Sequence, residues 1–162
     1  GYYIDGWLYF HFNFFVTKDT LIPRIETEQI VYTTLDILKK DHVENIVDVG
    51  TGSGCIPISL AKLSNTPYSI YATDISQKAL NIARKNEEVI LNKKRINWIN
   101  TDLIQDIDIQ YTSFFTVNLP YIPTQQYEGL DKSVLDFEPR QALDGGLDGL
   151  QFYNKLFKQF QE

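Results

Sequence analysis

The segment from residue 45 to residue 63 constrains the fold more than any other part of the chain. It begins with NIVDV, whose apolar and β-branched residues are typical of a buried strand, and continues into the turn GTGSG and an apolar helical stretch. Pro57 fits this helix only within its first turn, where a missing N–H does little harm. A buried strand that enters a helix through a tight glycine turn indicates an α/β protein with a parallel sheet.

The rest of the chain continues this alternation. Further strands are predicted at YSIYATD, RINWINTD and FFTVNLPY, and a helix with Ser76 as its N-cap follows the first of them. We therefore expect a Rossmann-like, doubly wound α/β sheet with mostly parallel strands. Such sheets bind ligands at the carboxyl ends of their strands.

The chain is expected to be a piece of a longer protein, truncated after the fourth strand and its following helix. It contains no Met, so Gly1 is not expected to be a native start. No strand follows the last helix to cover it. Its apolar residues are therefore expected to be exposed, namely Leu150, Phe152, Leu156 and Phe157.

The N-terminal region is expected to form a hairpin. Asp5-Gly6 lies between apolar runs, which is a two-residue hairpin signal. Residues 1–22 are assigned to this hairpin and a linker, and residues 23–162 to one partial α/β domain. A helix is expected near its start, with Glu26 and Glu28 in the first turn.

Composition excludes several classes of protein. The 162 residues carry a formal net charge of −6, which argues against broad binding to phosphate backbones. No apolar run is long enough for a membrane span, and no signal peptide is visible. The lone Cys55 is expected to be a small buried hydrophobe in a reducing compartment, so a cytoplasmic location is predicted. His11 and His42 lack partners at metal-ligand spacing, and no metal site is predicted.

The glycine turn is a candidate ligand loop. It follows Asp48, and its members are Gly50, Thr51, Gly52, Ser53 and Gly54. Glycines permit positive φ and let a ligand approach the backbone. Their spacing, Gly-x-Gly-x-Gly, differs from the Gly-x-Gly-x-x-Gly of dinucleotide-binding loops. A tight strand-to-helix turn explains the pattern alone equally well.

Two acidic residues strengthen the ligand hypothesis. Asp74 ends the next strand, about 20 residues beyond the glycine turn, where a carboxylate can accept from both hydroxyls of a ribose. Asp102 follows the third strand, where it can accept from an exocyclic amine. Together they indicate a nucleoside site that needs no grip on a pyrophosphate. S-adenosylmethionine fits this set of groups better than NAD.

The fourth strand ends in a second candidate site. Asn118, Leu119, Pro120 and Tyr121 stand where the strand must stop, because Pro cannot donate to a sheet ladder. Asn and Pro are common in strand-terminating turns. The alternative is a ligand clamp at the carboxyl end of a parallel strand.

Three blocks of the sequence carry a family resemblance from about Tyr3 to Gln151. They are LIPRIETE, DVGTGSGCIPISLA, and NLPYIP together with FEPRQALDGGLDGL. These blocks resemble the HemK-type N5-glutamine methyltransferases, which are class I S-adenosylmethionine-dependent enzymes. The clamp is shared with adenine-N6 methyltransferases, whereas the block after FEPR is more specific. That block looks more like enzymes acting on peptide chain release factors than those acting on a ribosomal protein.

The resemblance implies methyl transfer from S-adenosylmethionine to the side-chain amide nitrogen of a glutamine in a release factor, with S-adenosylhomocysteine as product. It implies that neither nucleic acid nor a membrane is a direct partner. The implied cofactor-binding residues are Asp48, Gly50, Thr51, Gly52, Ser53, Gly54, Asp74, Asp102, Leu103 and Asn118.

The resemblance also implies roles at the acceptor for Asn118, Leu119, Pro120 and Tyr121. The Asn118 side-chain oxygen and the Leu119 carbonyl would accept the two amide hydrogens, and Tyr121 would pack on the planar amide. The family usually has Pro where this chain has Leu119. That change loses rigidity and adds an N–H, but it keeps the carbonyl.

Several alternatives remain open. An adenine-N6 methyltransferase would flip a base into the same clamp, and a non-catalytic fragment would bind cofactor without turnover. Arg24 and Glu26 either line the cofactor pocket or serve helix-start electrostatics. The stretch from Asp144 to Gly149, which includes Gly145, Gly146 and Asp148, is either a plain turn or an ordered loop near the substrate.

Overall fold

The computed structural model of the chain describes residues 4–64, 68–108 and 113–161. Residues 1–3 of the predicted division 1–22 and residue 162 of the predicted division 23–162 therefore lie outside the described part. Its strands and helices, in chain order, are β1 Ile4–Tyr9, β2 Phe12–Val16, α1 Glu28–Leu38, β3 Asn45–Val49, α2 Cys55–Leu63, β4 Ser69–Asp74, α3 Gln77–Leu91, β5 Ile96–Asn100, β6 Ser113–Val117, α4 Thr124–Tyr127, α5 Lys132–Phe137 and α6 Gln151–Gln159. Short 3-10 turns lie at Ile25–Thr27 and Arg140–Ala142.

The central sheet has four parallel strands in the order β5-β4-β3-β6. Strand β3, all of whose residues are buried, lies inside it. The chain moves outward from β3 through β4 and β5 and then returns to the other side of β3 with β6. The strand order therefore reverses between β3 and β6, which is where such sheets bind ligands. The predicted Rossmann-like fold is confirmed.

The two faces of the sheet have separate apolar clusters. On one face, buried residues such as Ile46 and Ile70 pack with helices α1 and α2 and with the hairpin. On the other face, Val47 and Val49 pack with Leu156 of α6. The expectation that the apolar residues of α6 are exposed is therefore wrong for Leu156, which is 3% exposed. It is right for Leu150 and Phe157, which are 51% and 62% exposed. Phe152 is partly buried, because an amphipathic helix covers this sheet face directly.

The N-terminal hairpin is present, but its turn is not at Asp5-Gly6. Those two residues lie inside β1, beside a register irregularity between Ile4 and Trp7. The turn is formed by Phe10 and His11, whose φ values of 51° and 61° match the positive φ that a tight hairpin turn requires. Burial explains the difference, because this turn places Tyr9 and Phe14 in the main apolar cluster. The division at residue 22 stays a prediction.

Several other expectations concern single residues. Ser76 caps α3 by accepting the N–H of Ala79, as predicted. Cys55 is buried, as predicted. Glu28 is the first residue of α1, whereas Glu26 lies in the preceding 3-10 turn. Within the described part of the chain, no helix is both long and apolar enough to cross a membrane.

A buried amide joins the hairpin to the glycine turn. The Asn86 side-chain oxygen accepts the N–H of Phe15 at 2.7 Å, and its amide nitrogen donates to the carbonyls of Phe15 and Ser53 at 3.0 and 2.9 Å. Asn86 is fully buried. Its side chain therefore satisfies backbone groups of β2 much as a neighbouring strand would.

We expect Asn86→Ala to lower the free energy of unfolding by about 2–4 kcal/mol, because it leaves one buried and two partly buried backbone groups without their partner. Urea unfolding would measure the change. Asn81→Ala is the matched control, since Asn81 lies exposed on the same helix. Equal stability of the two variants would contradict a structural role for the Asn86 amide.

Candidate active site

A cavity of about 440 Å³ opens at the carboxyl ends of the sheet strands. Its volume lies in the range of cofactor and small-molecule sites. The predicted site residues that line it are Gly50, Thr51, Gly52, Ser53, Asp74, Asp102, Leu103, Asn118, Leu119 and Pro120. Asp48, Gly54 and Tyr121 do not line it. The fold thus brings three separately predicted features, the glycine turn, the acids and the clamp, to one place.

Asp74 holds the glycine turn in position. Its Oδ2 accepts the N–H of Gly52 at 2.9 Å, and its Oδ1 accepts the N–H of Ser76 at 2.8 Å. Burial raises the pKa of Asp74 above its usual value, although these two N–H donors oppose the rise. Each carboxylate oxygen keeps a lone pair for a ligand hydroxyl. Asp74 can therefore support the turn and contact a ribose at once.

The turn leaves room for a ligand at Gly52. This residue has φ +57°, and a Cβ built on it would meet no atom within 4 Å. Thr51, which also lines the cavity, has a buried hydroxyl that interacts with the Asp48 carboxyl. An open backbone approach is what a nucleoside-carrying ligand needs here. The residues present therefore fit S-adenosylmethionine.

Asp48 and Gly54 support the glycine turn without lining the cavity. A Cβ at Gly54 would lie 2.9–3.0 Å from Trp98, Ala83 and Ile58, so this glycine is required for packing as well as for its φ of +80°. Asp48 is 1% exposed, and its Oδ1 accepts the Thr116 hydroxyl at 2.7 Å. Burial raises the pKa of Asp48 to about 7.

Helix α6 shapes the end of the cavity at Asp102. The Lys155 ammonium contacts Asp102 Oδ2, so Oδ1 is the oxygen left for a ligand amine. Gln159 donates to the Asp102 carbonyl at 3.2 Å and accepts the N–H of Ile104 at 3.0 Å. Between them, Leu103 adopts a φ of 58°, which is unusual for a residue other than glycine. The bonds from α6 stabilise this strained turn.

A second cavity of about 380 Å³ adjoins the first. It is lined by Arg24, Glu26 and the ring of Tyr121, so the first two residues lie at this cavity and not at the cofactor cavity. The residues that line both cavities are Leu21, Thr27, Asn118, Leu119 and Ala142. The predicted clamp therefore stands where the two cavities meet.

The clamp residues have distinct environments. The Asn118 amide nitrogen donates to the Thr27 hydroxyl at 3.5 Å, which leaves the Asn118 oxygen free to accept. The Leu119 side chain is buried, and its carbonyl accepts the Tyr153 hydroxyl at 3.4 Å. Tyr121 is 63% exposed, so its ring can still cover another group.

The stretch from Asp144 to Gly149 is an ordered loop packed on the clamp, and not a plain turn. Ile122 donates to the Leu143 carbonyl at 3.0 Å, and Gly145 donates to the Ile122 carbonyl at 2.8 Å. A Cβ at Gly145 would lie 2.7 Å from the Pro120 carbonyl oxygen. The glycine here is thus required by direct backbone contact with the clamp.

Three functional candidates were missed from the sequence. Thr27 lies beside Asn118, Asn86 holds the Ser53 carbonyl, and buried Glu138 bonds to the segment before α1. Thr27 belongs to the LIPRIETE block and Glu138 to the FEPR block, and this membership was the one sequence signal that could have identified them. Their partners are distant in the sequence, so no local pattern reveals the contacts.

Comparison with known proteins gives one family match. Residues 26–111 match the family model described as ribosomal protein L11 methyltransferase (PrmA). This match includes the glycine turn, Asp74 and Asp102 but ends before the clamp.

Curated relatives match nearly the whole chain. It is 41% identical to a release factor glutamine methyltransferase of Flavobacterium psychrophilum, over 91% of this chain and 53% of that relative. It is 33% identical to the protein of the same name from Bacillus cereus, over 98% of this chain and 56% of that relative. The chain spans about half the length of the curated relatives it matches.

Solved structures support the fold. The catalytic domain of hMettl16 in complex with MAT2A 3'UTR hairpin 6 has a TM-score of 0.67 at 19% identity, covering 94% of this chain and 58% of that chain. The N-terminal domain of human METTL16 in complex with SAH has a TM-score of 0.51 at 20% identity, covering 78% and 56%. At such identities the likeness is one of fold.

The buried Asp48 predicts a pH dependence of stability. The pKa of Asp48 is about 7 in the folded protein, against an ordinary value of 3.8. Between these two pH values the folded protein therefore holds a proton that the unfolded chain has already released. Stability should therefore fall as the pH rises through this window, with a slope of up to about 1.4 kcal/mol per pH unit, and level off above it. Asp48→Asn keeps an acceptor for Thr116 and should lose this component. Chemical unfolding of both proteins from pH 4 to 8 measures it, and parallel profiles would show that the carboxyl does not titrate as stated.

Proposed function

We propose that this chain, which belongs to the family described as ribosomal protein L11 methyltransferase (PrmA), transfers a methyl group from S-adenosylmethionine to the side-chain amide nitrogen of a glutamine in a peptide chain release factor. The observation that carries this proposal is that Asn118 and Leu119 line two adjoining cavities at the carboxyl end of β6. One cavity suits a nucleoside cofactor, and the other leaves room for an acceptor side chain.

The cofactor cavity offers matching groups for each part of S-adenosylmethionine. Asp74 would accept from the ribose hydroxyls, Asp102 would accept from the adenine amine, and the open backbone at Gly52 would admit the remainder of the molecule. When bound, this cofactor supplies an electrophilic methyl group on a sulfonium that is already a good leaving group. The chain's own residues then need to bind and orient more than to activate.

The clamp would compensate for the low nucleophilicity of an amide nitrogen as the methyl acceptor. An amide nitrogen is a poor nucleophile because its lone pair is delocalised into the carbonyl. The Asn118 oxygen and the Leu119 carbonyl would each accept one amide hydrogen, which favours a pyramidal nitrogen with its lone pair directed toward the first cavity. Thr27 supports this by engaging the Asn118 nitrogen, so that the Asn118 oxygen faces the acceptor.

The remaining groups of the second cavity complete the arrangement. The exposed ring of Tyr121 would cover the planar amide and exclude water from one side. Once methylated, the nitrogen loses a proton readily to water, so no strong base is required.

A release factor is favoured over a nucleic acid as the methyl acceptor. The net charge of −6 opposes binding to a phosphate backbone. The name of the matched family indicates ribosomal protein L11 as a substrate, whereas the names of the curated relatives indicate release factors. The L11 match stops at residue 111, whereas the release factor relatives match more than nine tenths of the chain, including the clamp.

The direct test is labelled methyl transfer from S-adenosylmethionine to a release factor, ribosomal protein L11 and duplex DNA in parallel, followed by peptide mapping. We expect label on a single glutamine of the release factor. Label on L11 or on adenine would refute the acceptor proposed here.

Asp74→Ala should weaken S-adenosylmethionine binding by about 1.5–3 kcal/mol, because charged hydrogen bonds to the ribose are lost. The same variant frees the Gly52 N–H, which adds to the loss. Calorimetry measures the affinity, with Asp41→Ala as control because Asp41 is exposed and lines neither cavity. Unchanged affinity would remove Asp74 from the ribose site, and tighter binding of NAD would refute the cofactor class.

Asn118→Ala should lower the single-turnover rate about 10²–10³-fold, since a preorganised contact to the reacting group is lost. Cofactor affinity should change far less. Asn154→Ala is the matched control, because Asn154 is exposed on α6 and lines neither cavity. Near-normal turnover in Asn118→Ala would exclude Asn118 from the mechanism and leave no basis for an amide acceptor.

A further inference from the structure

A buried carboxylate outside the predicted site binds the segment that precedes α1. The Glu138 side chain is 2% exposed. Its Oε1 accepts from the Arg24 guanidinium at 2.5 Å, and its Oε2 accepts the backbone N–H of Ile22 at 3.1 Å. Both partners lie in residues 21–24, which we name the strap. A buried charge is stable only when it is paired and hydrogen-bonded, so this geometry holds the strap in one place.

The strap forms part of the wall of both cavities. Leu21 lines both of them, Pro23 lines the cofactor cavity and Arg24 lines the acceptor cavity. Pro139, which directly follows Glu138, also lines the cofactor cavity. The Glu138 contacts therefore connect two walls that are far apart in the sequence.

We propose that Glu138 is a positioning residue that closes the strap over the junction of the two cavities. It lines neither cavity itself and acts through Ile22 and Arg24. With the strap closed, Leu21 is held in the wall that the two cavities share with Thr27 and Asn118, where cofactor and acceptor would meet. The consequence for methyl transfer rests on the proposed function, whereas the closing of the strap does not.

The two contacts contribute unequally. The Arg24 side chain is 39% exposed, so solvent weakens its attraction to Glu138. The Ile22 N–H donates to the buried Glu138 carboxylate, where little water is available as an alternative acceptor. Glu138→Gln keeps that acceptor and removes the charge, while Glu138→Ala removes both. The two variants should therefore form a graded series.

Trypsin cleavage after Arg24 reports on the strap without any ligand. We expect Glu138→Ala to be cleaved there about tenfold faster than wild type, because a buried hydrogen bond to a charged group is lost. Glu138→Gln should be intermediate, and Glu128→Gln should match wild type, since Glu128 is exposed in the same connection. Cleavage after Arg84 on α3 is the internal reference. Equal acceleration at both sites would show general destabilisation and overturn the proposal.

Binding of S-adenosylhomocysteine and single-turnover rates test the link to the site. We expect Glu138→Ala to bind S-adenosylhomocysteine about tenfold more weakly and to transfer methyl more slowly even at saturating cofactor, with Glu138→Gln between it and wild type. Wild-type affinity and rate in a variant whose strap is open would overturn the link. If the wild-type protein itself fails to bind S-adenosylhomocysteine, the proposed function and this link both fail, while the trypsin series still decides whether Glu138 closes the strap.

Discussion

The carboxylate of Asp74 is the group on which the candidate site depends most. It stands at the end of β4, between the glycine turn after β3 and the start of α3, and it accepts one backbone N–H from each. Gly52 belongs to the glycine turn, and Ser76 is the N-cap of α3. Because the carboxylate is partly buried, these bonds are stronger than they would be in water, and they partly offset the cost of desolvating the charge. The site is therefore formed largely by the fold before any ligand binds.

Other polar side chains also bond to backbone groups elsewhere in the structure, and they connect residues that are farther apart in the sequence. Asn86 bonds to Phe15 of β2 across 71 residues and to Ser53 of the glycine turn across 33, and Glu138 bonds to Arg24 across 114. In each case a buried polar side chain satisfies backbone groups that no regular secondary structure reaches. The cavity walls come from parts of the chain that the sheet alone does not connect. These side chains supply the missing connections.

This distinction explains what the sequence could predict. The β3–turn–α2 unit, the parallel sheet and the N-cap at Ser76 follow from local patterns, and all three are present. The hairpin turn was misplaced because Asp5-Gly6 is a strong local signal, whereas the burial of Tyr9 and Phe14 depends on helices far along the chain. Asp74 and the clamp were predicted because strand ends must converge in a parallel sheet. Thr27 and Glu138 were not, since their roles depend on contacts that only the folded chain reveals.

The substitution of Leu119 for the family's usual Pro has a physical explanation in this setting. A Pro would restrict the backbone of the clamp by its ring. Here the Leu119 side chain is buried and lies so close to Gly50 that a Cβ there would be 2.8 Å from its Cδ2. The next residues are held from the other side, because Ile122 pairs with the loop around Asp144 and Gly145 contacts the Pro120 carbonyl. Packing and backbone pairing thus replace the rigidity of the missing ring and hold Leu119 in the wall that the two cavities share.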